Sequence, residues 1–276
     1  MAAIKDHGVY ENQVLEERIE EMLESHVDVR NLMTIDNDLV GVAGMVKAIN
    51  VYSYEGVIEE LEIGEGNTEM GKVSYETENY EIKLFQSRFS YNDEQAMIDP
   101  KVVEVGLKGI ATDFVNDLQD KYYAELRKAT LVNELQAGEA INYDAVVDCI
   151  GAMQAEHHLA EGITAESENG LFILAGKDAI KDLRKDEGFK AARQGEILFS
   201  GQIGQVCGIP VIRSNKVNDN EAFVATKEAV TLFNKKGMEA EQERDSNLRQ
   251  NDVYMRTYLV VALTDATKVC KIVKQA

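Results

Sequence analysis

The chain has 276 residues, of which 45% are hydrophobic and 28% are charged. It is therefore long enough to bury one large core or two modest subdomains, and too apolar to be a disordered chain. Its 49 acidic and 29 basic residues leave a net charge of −20, which argues against a surface devoted to binding nucleic-acid phosphates.

The sequence also argues against insertion into a membrane and against a fold held together by disulfide bonds. No apolar run approaches the length that crosses a bilayer, and the N-terminus lacks the apolar core of a signal peptide, so we expect a soluble protein. The three cysteines, Cys149, Cys207 and Cys270, lie far apart and form no CxxC or Cys/His spacing. They indicate neither a disulfide framework nor a zinc site, and they predict synthesis in a reducing cytoplasm.

Residues 10–30 have the pattern of an acidic amphipathic helix. Glutamates cover most of its surface, and its apolar stripe consists of Val14, Leu15, Ile19, Met22 and Leu23. Such a helix packs either on its own domain or, as an arm, on a neighbouring subunit, and the pattern leaves both open. Residues 41–46 and 51–54 then predict two short strands.

Residues 55–95 predict a long two-stranded ribbon. Val57, Leu61 and Ile63 lead into a glycine-rich turn over residues 64–71, and apolar and polar residues alternate over residues 73–84. The residues are too polar for either face to be deeply buried. Because an isolated two-stranded ribbon is only marginally stable in water, we expect it to lie on another surface.

A long helix is predicted to begin at Asp99 and Pro100, with Asp99 as the N-cap and Pro100 at the first helical position. Apolar residues then recur at steps of three and four: Val103, Leu107, Ile110, Phe114, Leu118, Tyr122 and Leu126. The pattern extends the helix as far as residue 137, before Gly138. At about 1.5 Å per residue, its length would be on the order of 50 Å.

The second half of the chain predicts a compact α+β subdomain followed by further strands. Asn142 caps a helix, residues 170–174 form a short apolar strand, and residues 178–185 form a short helix. The later strands are predicted over residues 223–224, 229–233, 238–244, 254–263 and 269–273. Charges recur at every second position in one of these strands, at Glu239, Glu241 and Glu243.

The most specific stretch is residues 201–217, GQIGQVCGIPVIRSNKV, in which glycines precede a strand that Pro210 opens and a turn at residues 214–216 closes. The run EAFVATKEAV follows at residues 221–230. Glycines, the GIPVI strand, the Ser/Asn turn and the AFV strand occur here in a fixed order. In that order they resemble the late segment of tailed-bacteriophage major capsid proteins with the Hong Kong 97-type fold.

The resemblance implies an α+β fold of the Hong Kong 97 type, with an N-terminal arm, an extended β-ribbon loop, a long spine helix, and peripheral and axial subdomains. It covers the chain from about residue 40 onward. The implied divisions are residues 1–50 for the arm and first strands, 51–98 for the extended loop, 99–138 for the spine helix of the peripheral domain, 139–222 for the axial domain, and 223–276 for the returning strands of both domains.

The function implied by the resemblance is a shell protein rather than an enzyme. Copies of the chain would form hexamers and pentamers that tile an icosahedral virion around double-stranded DNA, after synthesis in the cytoplasm of the bacterial host. A separate scaffolding protein and a portal are the implied partners, with no membrane and no sequence-specific DNA binding. The exposed charges Lys72, Arg88, Glu241 and Arg244 would set the register of subunit contacts.

Catalytic, cofactor and metal sites are not predicted. Residues 66–72 satisfy G-x-x-x-x-G-K, the start of a phosphate-binding loop. However, Val73 stands where that motif needs Ser or Thr, and a strand pattern follows instead of a helix. The adjacent acidic pairs are interpreted as solvated faces, and Cys207 as a small apolar residue that fills space.

Some members of the family join their subunits covalently, through an isopeptide bond between a Lys and an Asn side chain. Nothing in the sequence brings Lys72 together with Asn215, Asn218 or Asn220, so non-covalent assembly is the expectation.

Two alternatives stay open at this point. The first is an encapsulin-like shell, which shares the fold and encloses a cargo enzyme. The second is a metal-dependent enzyme built on Glu156, His157, His158 and Glu161. Adjacent histidines on a helix point about 100° apart, which makes a shared ion unfavourable without a further ligand.

Overall fold

The computed structural model describes residues 29–56, 58–61, 66–68, 70–136, 138–156, 170–185 and 205–275. Most of the predicted acidic helix, residues 10–28, lies outside these ranges. The described chain begins with a short 3-10 helix, Val29–Leu32. Val29 is buried there.

The described residues form twelve strands and four α-helices. The strands are β1 (Thr34–Asp36), β2 (Val46–Glu55), β3 (Lys72–Glu81), β4 (Lys83–Asn92), β5 (Leu131–Leu135), β6 (Phe172–Ala175), β7 (Gln205–Val206), β8 (Ile209–Arg213), β9 (Glu221–Ala225), β10 (Val230–Asp245), β11 (Gln250–Leu263) and β12 (Val269–Lys274). The helices are α1 (Asp93–Ile98), α2 (Lys101–Leu126), α3 (Tyr143–Glu156) and α4 (Lys177–Lys185).

A four-stranded sheet in the order β1-β10-β11-β4 packs on the long helix α2. Only β1 runs parallel to its neighbour. Along β11 the buried residues Val253 and Met255 alternate with partly exposed neighbours, because successive side chains in a strand point to opposite faces. The covered face contacts apolar residues of the helix, including Leu107 and Ile110, and the opposite face is open to solvent.

The predicted start of the long helix is confirmed, but its predicted end is wrong. Pro100 has helical backbone angles, and the Asp99 carboxylate accepts a hydrogen bond from the backbone N–H of Lys101 at 3.0 Å. The helix ends at Leu126, which makes it about 39 Å long at 1.5 Å per residue. Residues 131–135 form β5, which pairs in parallel with β12, so a sheet partner distant in sequence overrides the helical pattern.

The six-stranded sheet has the order β5-β12-β9-β6-β8-β7, and its central strands β6 and β9 are buried on both faces. In β9, Val224 faces the core beneath helices α3 and α4, and Phe223 faces a second core shared with the end of α2. This double burial explains the uninterrupted apolar runs in β6 and β9. The predicted cap of α3 is confirmed, since Asn142 Oδ1 accepts a hydrogen bond from the Ala145 N–H at 3.0 Å.

Strand β10 belongs to two cores at once. Its first half contributes Val230 and Leu232 to the core shared with the six-stranded sheet, and Ala240 contributes to the core beneath α2. Its pairing with β11 is irregular between Asn234 and Glu239, as expected for a β-bulge. The long β10–β11 pair therefore connects the two parts of the molecule through continuous backbone.

The predicted ribbon exists, but its first strand lies elsewhere. Strands β2 and β3 pair antiparallel over ten positions, from Val46–Glu81 to Glu55–Lys72. Residues 58–61, where the sequence predicted the first strand of the ribbon, are not a strand, and Val57 and Ile63 lie outside the described residues. The expected strand over residues 41–46 is wrong except for Val46, which begins β2. Gly41 and Gly44 have φ of 77° and 114°. Because this left-handed backbone does not continue a strand, pairing begins only at Val46.

The alternating pattern over residues 73–84 belongs to two different sheets. Ile82 separates β3 from β4 and is only 2% exposed. Beyond it, β4 leaves the ribbon and pairs with β11. Alternation alone cannot show that a strand has changed its partner, because both sheets impose the same period of two.

A charged cluster joins the end of α2 to the six-stranded sheet. Arg127 Nε lies 3.2 Å from Glu221 Oε2, and Lys271 Nζ lies 3.5 Å from Glu221 Oε1. The Asn218 amide donates to the same carboxylate at 2.9 Å. Burial opposes ionisation, but the hydrogen bonds from Asn218 and Arg127 hold the pKa of Glu221 below its ordinary value.

We expect Glu221→Gln to lower the free energy of unfolding by about 1–3 kcal/mol at pH 7. A carboxyl group whose pKa is lower in the folded state stabilises the fold only while it is ionised. The difference between Glu221→Gln and the native chain should therefore shrink as the pH falls below 4.5, the ordinary pKa. Urea unfolding at a series of pH values measures this. Asp219→Asn, an exposed change two residues away, is the control. A constant difference between pH 7 and pH 3 would contradict the assignment.

Candidate assembly surfaces

The β2–β3 ribbon is the largest element without a core of its own. Every residue from Met70 to Asn79 whose burial is described is exposed. Val73 and Tyr75 are 62% and 66% exposed on one face of β3, and Met70 is 91% exposed. Glu76 and Glu78 occupy alternate positions on the other face. One face thus offers apolar and aromatic contact area, and the other offers negative charge.

A second exposed apolar surface lies where α1 meets α2. Met97, Ile98 and Val105 are 76%, 85% and 67% exposed. Sequence reasoning missed helix α1, although its signal is present: Asn92 and Gln95 have the spacing of a capping box, and the Asn92 N–H donates to Gln95 Oε1 at 3.2 Å.

The polar contacts that fix α1 involve its first residue. Asp93 accepts hydrogen bonds at 2.7 Å from both Arg244 and Asn251. The hydrogen bonds from Arg244 and Asn251 hold the pKa of Asp93 below its ordinary value. The β10–β11 turn is thereby tied to the start of α1, which positions the exposed apolar residues at this end of the sheet.

The uncovered face of the four-stranded sheet carries charged side chains that pair with one another within the chain. Arg256 lies 3.3 Å from Glu239 and 2.6 Å from Glu241. Arg88 lies 2.9 Å from Asp252, and its guanidinium is 5.5 Å from the centre of the Tyr254 ring. A hydrogen bond from Lys236, followed by the charge of Arg256, holds the pKa of Glu239 below its ordinary value.

Three of the four charges expected to set the register of subunit contacts are paired within their own chain. Arg88, Glu241 and Arg244 bind Asp252, Arg256 and Asp93 respectively. The fourth, Lys72, is exposed at the first position of β3.

Several sequence features that were weighed for chemistry fall within the described ranges, and they lie on different elements. Lys72 begins a strand rather than a helix, so the G-x-x-x-x-G-K run has no phosphate-binding geometry. Asn215, Asn218 and Asn220 lie between β8 and β9, where the Asn218 amide donates to Glu221. Glu156 ends α3, and His157, His158 and Glu161 lie outside the described residues, as do Gly201 and Gly204.

The fold keeps Cys207 apart and brings the other two cysteines together. Cys207 is half-buried with a φ of 54° at the turn between β7 and β8. Cys149 on α3 and Cys270 on β12 are buried together, where a hydrogen bond to Cys270 and burial raise the pKa of the Cys149 thiol. A protonated, buried thiol is a poor nucleophile.

Two kinds of site are absent from the described part of the chain. It contains no group of three or more His, Cys, Asp or Glu side chains that could hold a metal ion. Nor does any helix in those ranges combine the length and the apolarity of a membrane span.

Comparison with known proteins shows which fold this architecture belongs to. The chain is 23% identical to the major capsid protein of Staphylococcus phage phiMR11, over 95% of this chain and 94% of that protein. The structure superposes on the mature capsid of bacteriophage PhiM1 with a TM-score of 0.71 at 9% identity, over 91% of this chain and 87% of that one. This is the Hong Kong 97-type capsid fold. The expected α+β capsid fold, and the resemblance that indicated it, are confirmed.

The capsid fold also occurs in a virus-like particle from Pyrococcus furiosus. That structure matches with a TM-score of 0.62 at 10% identity, over 96% of this chain and all of that one. No protein-family model matches the chain. Within the capsid fold, the ribbon and the junction of α1 and α2 are two of the described surfaces that leave apolar residues uncovered in the single subunit.

Proposed function

We propose that this chain is the major capsid protein of a tailed bacteriophage and assembles with copies of itself into the shell of the virion. The observation that carries the proposal is the ribbon. It projects exposed apolar residues such as Val73 and Tyr75 and contributes none of its described residues beyond Ile49 to the cores of the body. A ribbon of this kind gains stability only by burying its apolar face on another surface.

In the shell, the ribbon of one subunit lies across its neighbour, and six or five copies close into hexamers and pentamers. The ranges 1–50, 51–98, 99–138, 139–222 and 223–276 serve as arm, extended loop, spine helix, axial domain and returning strands. The ribbon proper is β2–β3, while β4 pairs with the sheet on α2. This division therefore assigns β4 to the extended loop, although its pairing is with the body.

The shell encloses double-stranded DNA without reading its sequence. A chain with a net charge of −20 repels the phosphates of packed DNA rather than binding them. A separate scaffolding protein and a portal complete the assembly. We assign no catalytic, metal or cofactor role to any residue.

Electron microscopy and sedimentation velocity of the purified chain, alone and with a co-expressed scaffold from the same source, test the proposal. Closed shells, tubes or rings of five or six subunits are the expected products. A species that stays monomeric under both conditions at high concentration would overturn it.

An encapsulin-like compartment is the second candidate, supported by the full-length match to the archaeal virus-like particle. The contents of particles isolated from their source separate the two candidates. A phage capsid contains DNA and carries a portal, whereas a compartment contains one cargo protein. The curated phage relative, which is matched over nearly the whole chain, favours the capsid.

A further inference from the structure

The ribbon leaves the body through two short connections. On one side, residues 37–45 join β1 to β2 and include Gly41 and Gly44, both with positive φ and with open space around them. On the other side, Ile82 joins β3 to β4, and its N–H donates to the Met45 carbonyl at 2.7 Å. The ribbon has no core of its own, and these two connections are the only backbone that joins its described strands to the body. Neither feature alone fixes the direction in which the ribbon points.

Side chains supply that fixation chiefly at one place, in addition to the hydrogen bond that Lys235 Nζ donates to the Val42 carbonyl in the connection. Lys47 and Tyr80 are directly opposite each other in the ribbon, and Asp36 and Phe233 are directly opposite each other in the sheet of the body. The two pairs meet. Lys47 Nζ lies 3.1 Å from Asp36 Oδ2, and the Tyr80 ring stacks on Phe233 with centroids 5.3 Å apart and planes 24° apart.

Both contacts are partly shielded from water. The side chains of Lys47 and Asp36 are 19% and 21% exposed, and Lys47 also binds Asp38 at 2.8 Å. The hydrogen bond to Asp38 and the second bond to Asp36 raise the pKa of Lys47. Phe233 is buried. A shielded ion pair beside an aromatic stack holds direction better than either contact alone, because the two act at separate points.

We propose that Lys47, Tyr80, Asp36 and Phe233 form a latch that fixes the direction of the ribbon in the unassembled subunit. The latch presents the ribbon at one angle before a neighbour arrives, so that assembly does not have to order a swinging arm. The angle is a property of the single subunit. Its consequence for the curvature of a shell rests on the proposed function.

Distance measurements between two spin labels in the unassembled subunit test the latch. The labels are attached at Glu76→Cys on the ribbon and Asn116→Cys on α2, both exposed positions, in a Cys207→Ser background that removes the half-buried thiol. The native latch should give one narrow distance distribution. Lys47→Met combined with Tyr80→Ala should broaden it about twofold, since the ribbon then moves about its glycine-containing connection.

Two further variants make the result specific. Lys83→Met removes an exposed lysine at the start of β4 and should leave the distribution narrow. The exchange Asp36→Lys with Lys47→Asp keeps an ion pair between these two positions and should keep the distribution narrow. An equally narrow distribution in the double latch variant, or a broad one in the native subunit, would overturn the proposal. Because no shell is needed, this result is independent of whether the protein assembles.

Discussion

Replacing residues 49–78 by an Asn-Gly turn should abolish shell formation while leaving the body folded. Ala48 and Asn79 are directly paired, so a two-residue type I′ turn can join them without changing the register. The removed segment lies beyond the latch and contributes no residue to the three cores. Only contacts with neighbouring subunits should be lost.

Sedimentation velocity and electron microscopy measure the effect on assembly, and the thermal unfolding midpoint measures the effect on the body. The shortened chain should keep a midpoint within a few degrees of the native value, because surface changes away from packed residues alter stability little. Val73→Ala with Tyr75→Ala keeps the full ribbon and removes part of its apolar face, so it should weaken assembly without abolishing it. Normal shells from the shortened chain would show that the ribbon is not the essential contact.

Gly106→Ala should destabilise the body by roughly 1–3 kcal/mol, the usual cost of overpacking. Gly106 lies on the face of α2 that contacts β4, and a Cβ atom there would be 2.3 Å from Cε2 of Phe89. The ring cannot retreat freely, because it packs against the core beneath the helix. Helix and sheet would have to separate locally to admit one methyl group.

Gly109→Ala is the matched control, three residues further along the same helix. A Cβ at Gly109 would meet nothing within 4 Å, and alanine is the better helix former. The free energy of unfolding of this variant should therefore be higher than that of the native chain by about 0.5–1 kcal/mol. Urea unfolding of both variants gives the comparison. Equal effects of the two substitutions would show that helix propensity, rather than contact with Phe89, decides the outcome.

Local signals predicted the elements whose causes are local. Asp99 and Asn142 make backbone hydrogen bonds at the starts of their helices, and short-range capping is visible in any sequence. The end of α2 and the first strand of the ribbon were missed for the opposite reason. Strand β5 exists because β12, more than 130 residues later, pairs with it, and such pairing leaves no trace in local periodicity.

The surfaces were predictable in kind rather than in detail. The polarity of the ribbon showed that it needs another surface, and the order of residues around Pro210 indicated the fold. Neither could show that Lys47 opposes Tyr80, or that Arg88 and Arg244 are paired within their own subunit. These facts depend on register and on distant side chains, which only the folded structure specifies.

The long β10–β11 pair gives the subunit a direction of mechanical strength. A pull along these strands, between the core beneath α2 and the core of the six-stranded sheet, would load their many hydrogen bonds together in shear. A pull across the strands would break the bonds one after another, since the bonds of an antiparallel pair lie perpendicular to the chain. The subunit should therefore resist stretching along the axis that joins its two parts far better than peeling at its edges.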